Sequence, residues 1–146
     1  MTKILIINGP NLNVLHLRNK EIYGNFSLDK IAQDCQNLAK EIKAEVVFFQ
    51  SNNEGEIIDA IHQAINKFVG IIINPAGFTH SSVAIRDALE IFGGKKIEIH
   101  LSNIYKREEF RHHSYVSGVV DGVISGLGAQ VYSLALLAIN QMIDNK

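Results

Sequence analysis

The sequence predicts an α/β fold: one parallel sheet with helices packed on both faces. Three observations predict it. Strand-like and helix-like segments alternate five times along 146 residues, the pattern of a parallel sheet joined by crossover helices. The strand-like segments are continuous apolar runs rather than alternating ones, as in strands buried on both faces. The helix-like segments carry apolar residues at three- and four-residue steps, which places one apolar stripe against a sheet.

The first strand is Lys3–Asn8, a β-branched run stopped by Gly9 and Pro10. Gly9 to Phe26 shows no clean periodicity. A structureless stretch that long inside a compact domain is commonly a functional lid. Ser27 is placed to cap a helix whose stripe is Leu28, Ile31, Cys35, Leu38 and Ile42. Glu45–Gln50, with its V-V-F-F run, reads as a second buried strand. Asn53 then caps a helix reaching about Lys67, with Ile57, Ile58, Ile61 and Ile65 inward. Gly70–Asn74 is the third strand, broken by Pro75-Ala76-Gly77. A helix follows from near Ser81, capped by Ser81 or Ser82, with Val83, Ile85, Ala88, Leu89 and Phe92 inward and Gly93-Gly94 as its glycine cap. The fourth strand is Ile97–Ser102 and the fifth Val119–Ser125. The last helix, about Ala129–Ile143, carries Val131, Leu134, Leu137 and Ile143. Right-handed crossovers with five strands favour a flavodoxin-like order. Residues 1–146 read as a single domain without repeats.

The composition excludes several classes. Fourteen basic and fifteen acidic residues nearly balance, so no charge excess points to nucleic acid or membrane. The lone Cys35 permits no intrachain disulfide and reads as a small core residue. The apolar run at the N-terminus is too short for a signal peptide, and no run reaches the ~20 residues of a spanning helix. These features predict a cytoplasmic location. There is no G-x-x-x-x-G-K-[ST], no HExxH and no G-x-S-x-G. Gly126-x-Gly128 lacks a third glycine and reads as a close-packed turn.

One polar column interrupts this apolar chain. On the fourth strand Glu98, His100 and Ser102 share one face and Ile97, Ile99 and Leu101 the other. Glu98 is spaced to hold one ring nitrogen of His100 and leave the other for proton transfer. In open α/β sheets ligands bind beyond the carboxyl ends of the strands. The residues predicted there are rich in amides, hydroxyls and imidazoles: Asn8 to Asn11, Gln50 to Asn52, Asn74 to Ser82, His100 to Ser102, and Gly126 to Gly128. Arg18 and Tyr23 lie in the long first loop. Arg107 and Arg111, spaced to share a face of a helical turn, follow the fourth strand. Guanidinium groups suit a carboxylate ligand. A free tyrosine has a pKa of about 10, and a neighbouring cation stabilises its phenolate. Tyr23 is therefore a candidate base.

The runs I-N-G-P-N-L-N, Y-G, N-P-A-G-F-T-H-S-S-V-A-I-R-D, I-E-I-H-L-S-N and R-E-E-F-R-H-H-S-Y occur in this order. They closely resemble type II 3-dehydroquinate dehydratase of the shikimate pathway, over nearly the whole chain. The resemblance implies a flavodoxin-like fold and anti elimination of water from 3-dehydroquinate through an enolate, with no metal or cofactor. It implies Tyr23 as the base, Arg18 and Arg107 as its supports, His100 as the acid and Glu98 as the group that orients it. It implies Asn11 at the enolate oxygen, and Ser102 with the Leu101 amide at the substrate carboxylate. Asn74, His80 and Arg111 would bind ring hydroxyls. Asp87 would act across a subunit contact in a dodecamer built from trimers.

The lid departs from the family pattern. His16 stands where the family has glycine, and Lys20 where it has proline. The expectation is a looser lid and more loop disorder in a ligand-free crystal. Two other readings are open to the sequence. Dehydration through a lysine imine would use Lys95, Lys96 or Lys106, none of which has an apolar run to desolvate it. A non-catalytic module would keep the pocket for a small hydroxy acid alone.

Overall fold

The structure is a computed structural model that describes residues 2–144. Its centre is one parallel sheet of five strands in the order β2-β1-β3-β4-β5. The strands are β1 (Thr2–Asn8), β2 (Ala44–Gln50), β3 (Gly70–Asn74), β4 (Lys95–His100) and β5 (Gly122–Ser125). Five helices accompany them: α1 (Lys20–Tyr23), α2 (Leu28–Glu41), α3 (Glu54–Ala64), α4 (Val83–Ile91) and α5 (Gln130–Asp144). This is the flavodoxin-like order predicted above.

Two cores sandwich the sheet. One joins Ile4, Ile6, Ile72, Ile97 and Ile99 to α2 and α5; the other joins Leu5, Ile7, Ile71 and Ile73 to α3 and α4. The alternation is that of pleated strands with both faces covered. The predicted caps form. Ser27 accepts from the Lys30 amide, Asn53 from Glu56 and Ser82 from Ile85, so each satisfies a free donor at its helix start.

Several expectations need correction. β2 is an edge strand, not a buried one: only Val46 is buried and Val47 is exposed. An apolar run does not reveal which strand ends the sheet. The second long helix stops at Ala64, short of Lys67, because Asn66 turns to a positive φ of 65°. α4 exposes Val83, and its end is not a left-handed glycine cap: Phe92 is extended and neither Gly93 nor Gly94 has positive φ. Gly94 instead answers to close packing, since a Cβ there would lie 2.5 Å from the Val69 carbonyl oxygen. The fifth strand starts at Gly122, and residues 117–119 form a 3-10 turn. α5 buries Val131, Tyr132, Ala135, Leu136 and Ile139, while Leu134 and Leu137 are exposed. The helix is apolar on most sides, so its sequence does not single out one stripe.

Gly126 and Gly128 do make a tight turn, with φ of 91° and 64°. Among the described residues no helix is long and apolar enough to cross a membrane.

Candidate active site

A cavity of about 140 Å³ opens at the carboxyl ends of β1, β3 and β4. Of the residues predicted from the sequence, Asn11, Arg18, Tyr23, Asn74 and His80 line it, as do His100, Leu101, Ser102, Arg107 and Arg111. Glu98 lies directly behind His100. Asp87 is exposed on α4 and does not line the cavity of its own chain.

The loop after β1 carries its own local structure. A 3-10 segment runs from Leu12 to Leu17 and buries Leu12 and Leu15. Asn19 then caps α1, its side chain accepting from the Glu21 amide. Gly24 ends that turn at φ 84°, where a Cβ would also strike the Phe26 ring. His16 is exposed and has no positive φ, so the position does not require glycine here. Lys20 occupies the first helical position, where proline is well tolerated. The result is a Tyr23 side chain only 8% exposed.

Two guanidinium groups hold that ring. Arg18 Nη2 donates to the Tyr23 hydroxyl, and the Arg18 Cζ lies 3.9 Å from the ring centroid. The Arg107 Cζ lies 4.9 Å from the same centroid. Arg107 Nη1 also reaches the Ser102 hydroxyl at 3.4 Å. Positive charge is thus placed around one phenol, in a site where water screens it less than at the surface.

The imidazole of His100 is held from beneath. Its Nε2 bonds the Glu98 carboxylate, and both side chains are buried. Glu98 takes two further bonds that the sequence did not reveal: from Ser117 Oγ at 2.6 Å, and from Ser114 Oγ at 3.2 and 3.1 Å to its two oxygens. Burial pushes the Glu98 carboxyl up, but the bond and charge of His100 and the two serine hydroxyls outweigh it and hold it below the ordinary carboxylate range. An ionised Glu98 accepts the Nε2 proton and turns Nδ1 away from itself.

His80 is fixed by a different acceptor. Its Nδ1 lies 2.8 Å from the His113 carbonyl oxygen, which can only accept, so Nδ1 carries the proton. Partial burial lowers its pKa, outweighing the bond to His113 that raises it. A neutral His80 presents an Nε2 acceptor. Arg111 Nε pairs with Glu108 at 2.5 Å at the mouth.

None of Lys95, Lys96 and Lys106 lines the cavity, although Lys106 lines an adjoining pocket together with Tyr23, Ser102 and Arg107. Lys96 is nevertheless partly desolvated, contrary to the sequence reading. Its Nζ donates to the Leu89 and Phe92 carbonyls at the end of α4, and burial lowers its pKa. No group of three or more His, Cys, Asp or Glu among the described residues could hold a metal ion.

The fold and site define an α/β enzyme with a polar cavity at the carboxyl end of its sheet, lined by a tyrosine from the loop after β1. The family model for class II dehydroquinase matches residues 2–140. A 3-dehydroquinate dehydratase of Endomicrobium trichonymphae is 54% identical over 93% of this chain and 95% of its own length. The crystal structure of type II dehydroquinase from Butyrivibrio crossotus superposes with a TM-score of 0.93 at 47% identity, covering 95% of this chain and 97% of that one. The type II dehydroquinase of Propionibacterium acnes gives 0.93 at 41% identity, covering 97% of both chains. This chain belongs to the type II 3-dehydroquinate dehydratase family.

Proposed function

We propose that this enzyme removes water from 3-dehydroquinate by anti elimination through an enolate, with Tyr23 as base and His100 as acid. One observation carries the reading: a phenol beside two guanidinium groups and an imidazole backed by a carboxylate line the same small cavity.

The chemistry requires a base strong enough to take a proton from the carbon beside a ketone. Arg18 and Arg107 supply the positive charge that a Tyr23 phenolate needs. The enolate oxygen that develops needs a donor already in place, and Asn11 with a water molecule is assigned to it. His100 then delivers the Nδ1 proton to the departing hydroxyl, which leaves as water. Glu98 stabilises the imidazolium before that step. The substrate carboxylate rests on Ser102 Oγ and the Leu101 amide. Asn74, His80 and Arg111 receive ring hydroxyls. A shut lid excludes water and completes the site.

Asp87 belongs to the same proposal as a contribution to a neighbouring subunit's site, in a dodecamer of trimers. Light scattering tests that assembly, and a monomer in solution removes Asp87 from the scheme. The expected place of work is the cytoplasm.

The reaction is tested by mixing the protein with 3-dehydroquinate and following the absorbance of the conjugated product, 3-dehydroshikimate. Turnover is expected from the wild type. Loss of activity by about 10²–10⁴-fold is expected in Tyr23→Phe and in His100→Ala. Unchanged rates in Tyr23→Phe would remove it as base. Borohydride added during turnover should label no lysine; a labelled lysine would replace this scheme with an imine.

A further inference from the structure

Three buried polar side chains meet behind the cavity, at the point where the strand order reverses. Asn8 and Asn74 end β1 and β3 and are partners in register. The sheet reverses its winding between these two strands, the usual site of the ligand crevice. Tyr132, on the first turn of α5, reaches both. Asn8 is 0% exposed, Asn74 3% and Tyr132 1%.

We infer that Tyr132 is a positioning residue for ligand binding, which fixes the orientation of the Asn74 amide through a one-way chain of hydrogen bonds. This rests on the proposed ligand role of Asn74. The direction follows from donor and acceptor chemistry. The Phe49 backbone oxygen can only accept, so Asn8 must present Nδ2 to it, at 3.0 Å. The other end of that amide, Oδ1, then faces Tyr132 and takes its hydroxyl proton at 2.6 Å. A hydroxyl has one proton. Towards Asn74, Tyr132 can therefore only accept, and Asn74 must present Nδ2, at 3.2 Å. Asn74 Oδ1 is turned to the Ala76 amide, 3.3 Å away. The remaining Nδ2 proton makes Asn74 a donor in the cavity that it lines. It is thereby matched to an oxygen of a hydroxy acid and set against a ligand group that can only donate.

Burial also pushes the Tyr132 phenol far above its ordinary range, so the chain keeps its direction at every pH at which the protein works. A purely structural tyrosine would serve packing of α5 on the sheet. The chain predicts more: that removing one hydroxyl oxygen acts on ligand affinity, and only through Asn74.

The test is a double-mutant cycle with quinate, the substrate with its ketone reduced and unable to eliminate, measured by calorimetry, alongside KM and kcat for 3-dehydroquinate. Tyr132→Phe is expected to weaken quinate binding and raise KM by about 10-fold, the worth of one oriented hydrogen bond, with kcat changed less. In an Asn74→Ala background the same change should have no further effect. Unchanged affinity in Tyr132→Phe, or an equal loss with and without Asn74, overturns the proposal. If Tyr132→Phe folds poorly, Asn8→Ala takes its place. It frees the hydroxyl proton to turn towards Asn74, and the same 10-fold loss is expected; no loss overturns the proposal. The side-chain amide signals of Asn74 in a ¹⁵N spectrum separate this from the reaction itself. They should shift in either variant even if the wild type neither binds quinate nor turns over; unmoved signals refute the chain.

Discussion

Arg18 donates from Nη2 to the Tyr23 hydroxyl while its Cζ sits 3.9 Å from the centre of the same ring. The two residues lie on either side of the Asn19 cap, in one turn of the lid. Their pairing is therefore local, made across five positions of chain. The second cation, Arg107, comes from beyond β4, so its contact with the ring depends on the tertiary fold.

This difference predicts separable effects. Arg18→Lys keeps a charge but loses the planar group that donates and stacks. Its expected outcome is a fall in kcat of about 10²-fold with little change in affinity for quinate. Arg107→Lys should instead loosen the closed lid and raise KM as well. Steady-state kinetics with calorimetry distinguishes the two, and identical profiles would contradict separate roles.

Stability should fall on acidification in two steps with different owners. The folded pKa of His80 is lowered from 6.5. Below that value the unfolded chain takes up a proton that folded His80 refuses, so stability declines as pH drops from 6.5 towards the lowered pKa. Glu98 is depressed below 4.5. Its contribution is full above 4.5 and is lost as pH falls through its folded value. Urea unfolding from pH 7 to 3 measures both. His80→Gln should flatten the upper step, and Glu98→Gln the lower one. An unchanged profile in either variant would be evidence against its group.

Lys96 supplies a control outside the cavity. Its ammonium bonds the last carbonyls of α4 at 2.7 and 2.9 Å, a favourable place for a cation on the helix dipole. Lys96→Met keeps most of the side-chain volume. It should cost about 1 kcal/mol of stability, read as a lower urea midpoint, with turnover intact. Lost turnover at full stability would revive the imine.

The parts legible in the sequence were those with local signals. Continuous apolar runs between helical stripes showed the sheet, and Ser27, Asn53 and the Ser81-Ser82 pair marked helix starts. The polar column on β4 announced Glu98 and His100, because a buried strand has few reasons to carry them. What stayed hidden depends on the fold. Val47 looks like Val46 until the strand order makes β2 an edge. Ser114 and Ser117 are ordinary loop serines until the turn before β5 brings them to Glu98. Tyr132 meets Asn8 across 124 positions of chain, and no short motif records that contact.

The start of α1 is shaped to accept proline. Lys20 opens α1, and the Asn19 backbone before it has φ −58° and ψ 112°. That is near the extended conformation that a following proline favours. The amides that close the turn belong to Ile22, Tyr23 and Gly24, so proline at position 20 removes none of these bonds. Lys20→Pro should therefore be accommodated without strain and should restrict the open lid more than the closed one. The expected gain is about 0.4–1 kcal/mol in favour of closure. Hydrogen exchange of the Ile22, Tyr23 and Gly24 amides should slow by about 2–5-fold, the same free energy expressed as a ratio. KM should fall, and kcat should fall with it if lid opening limits release of product. Faster exchange in Lys20→Pro would mean that the lysine itself holds the turn, and that the closed lid has another origin.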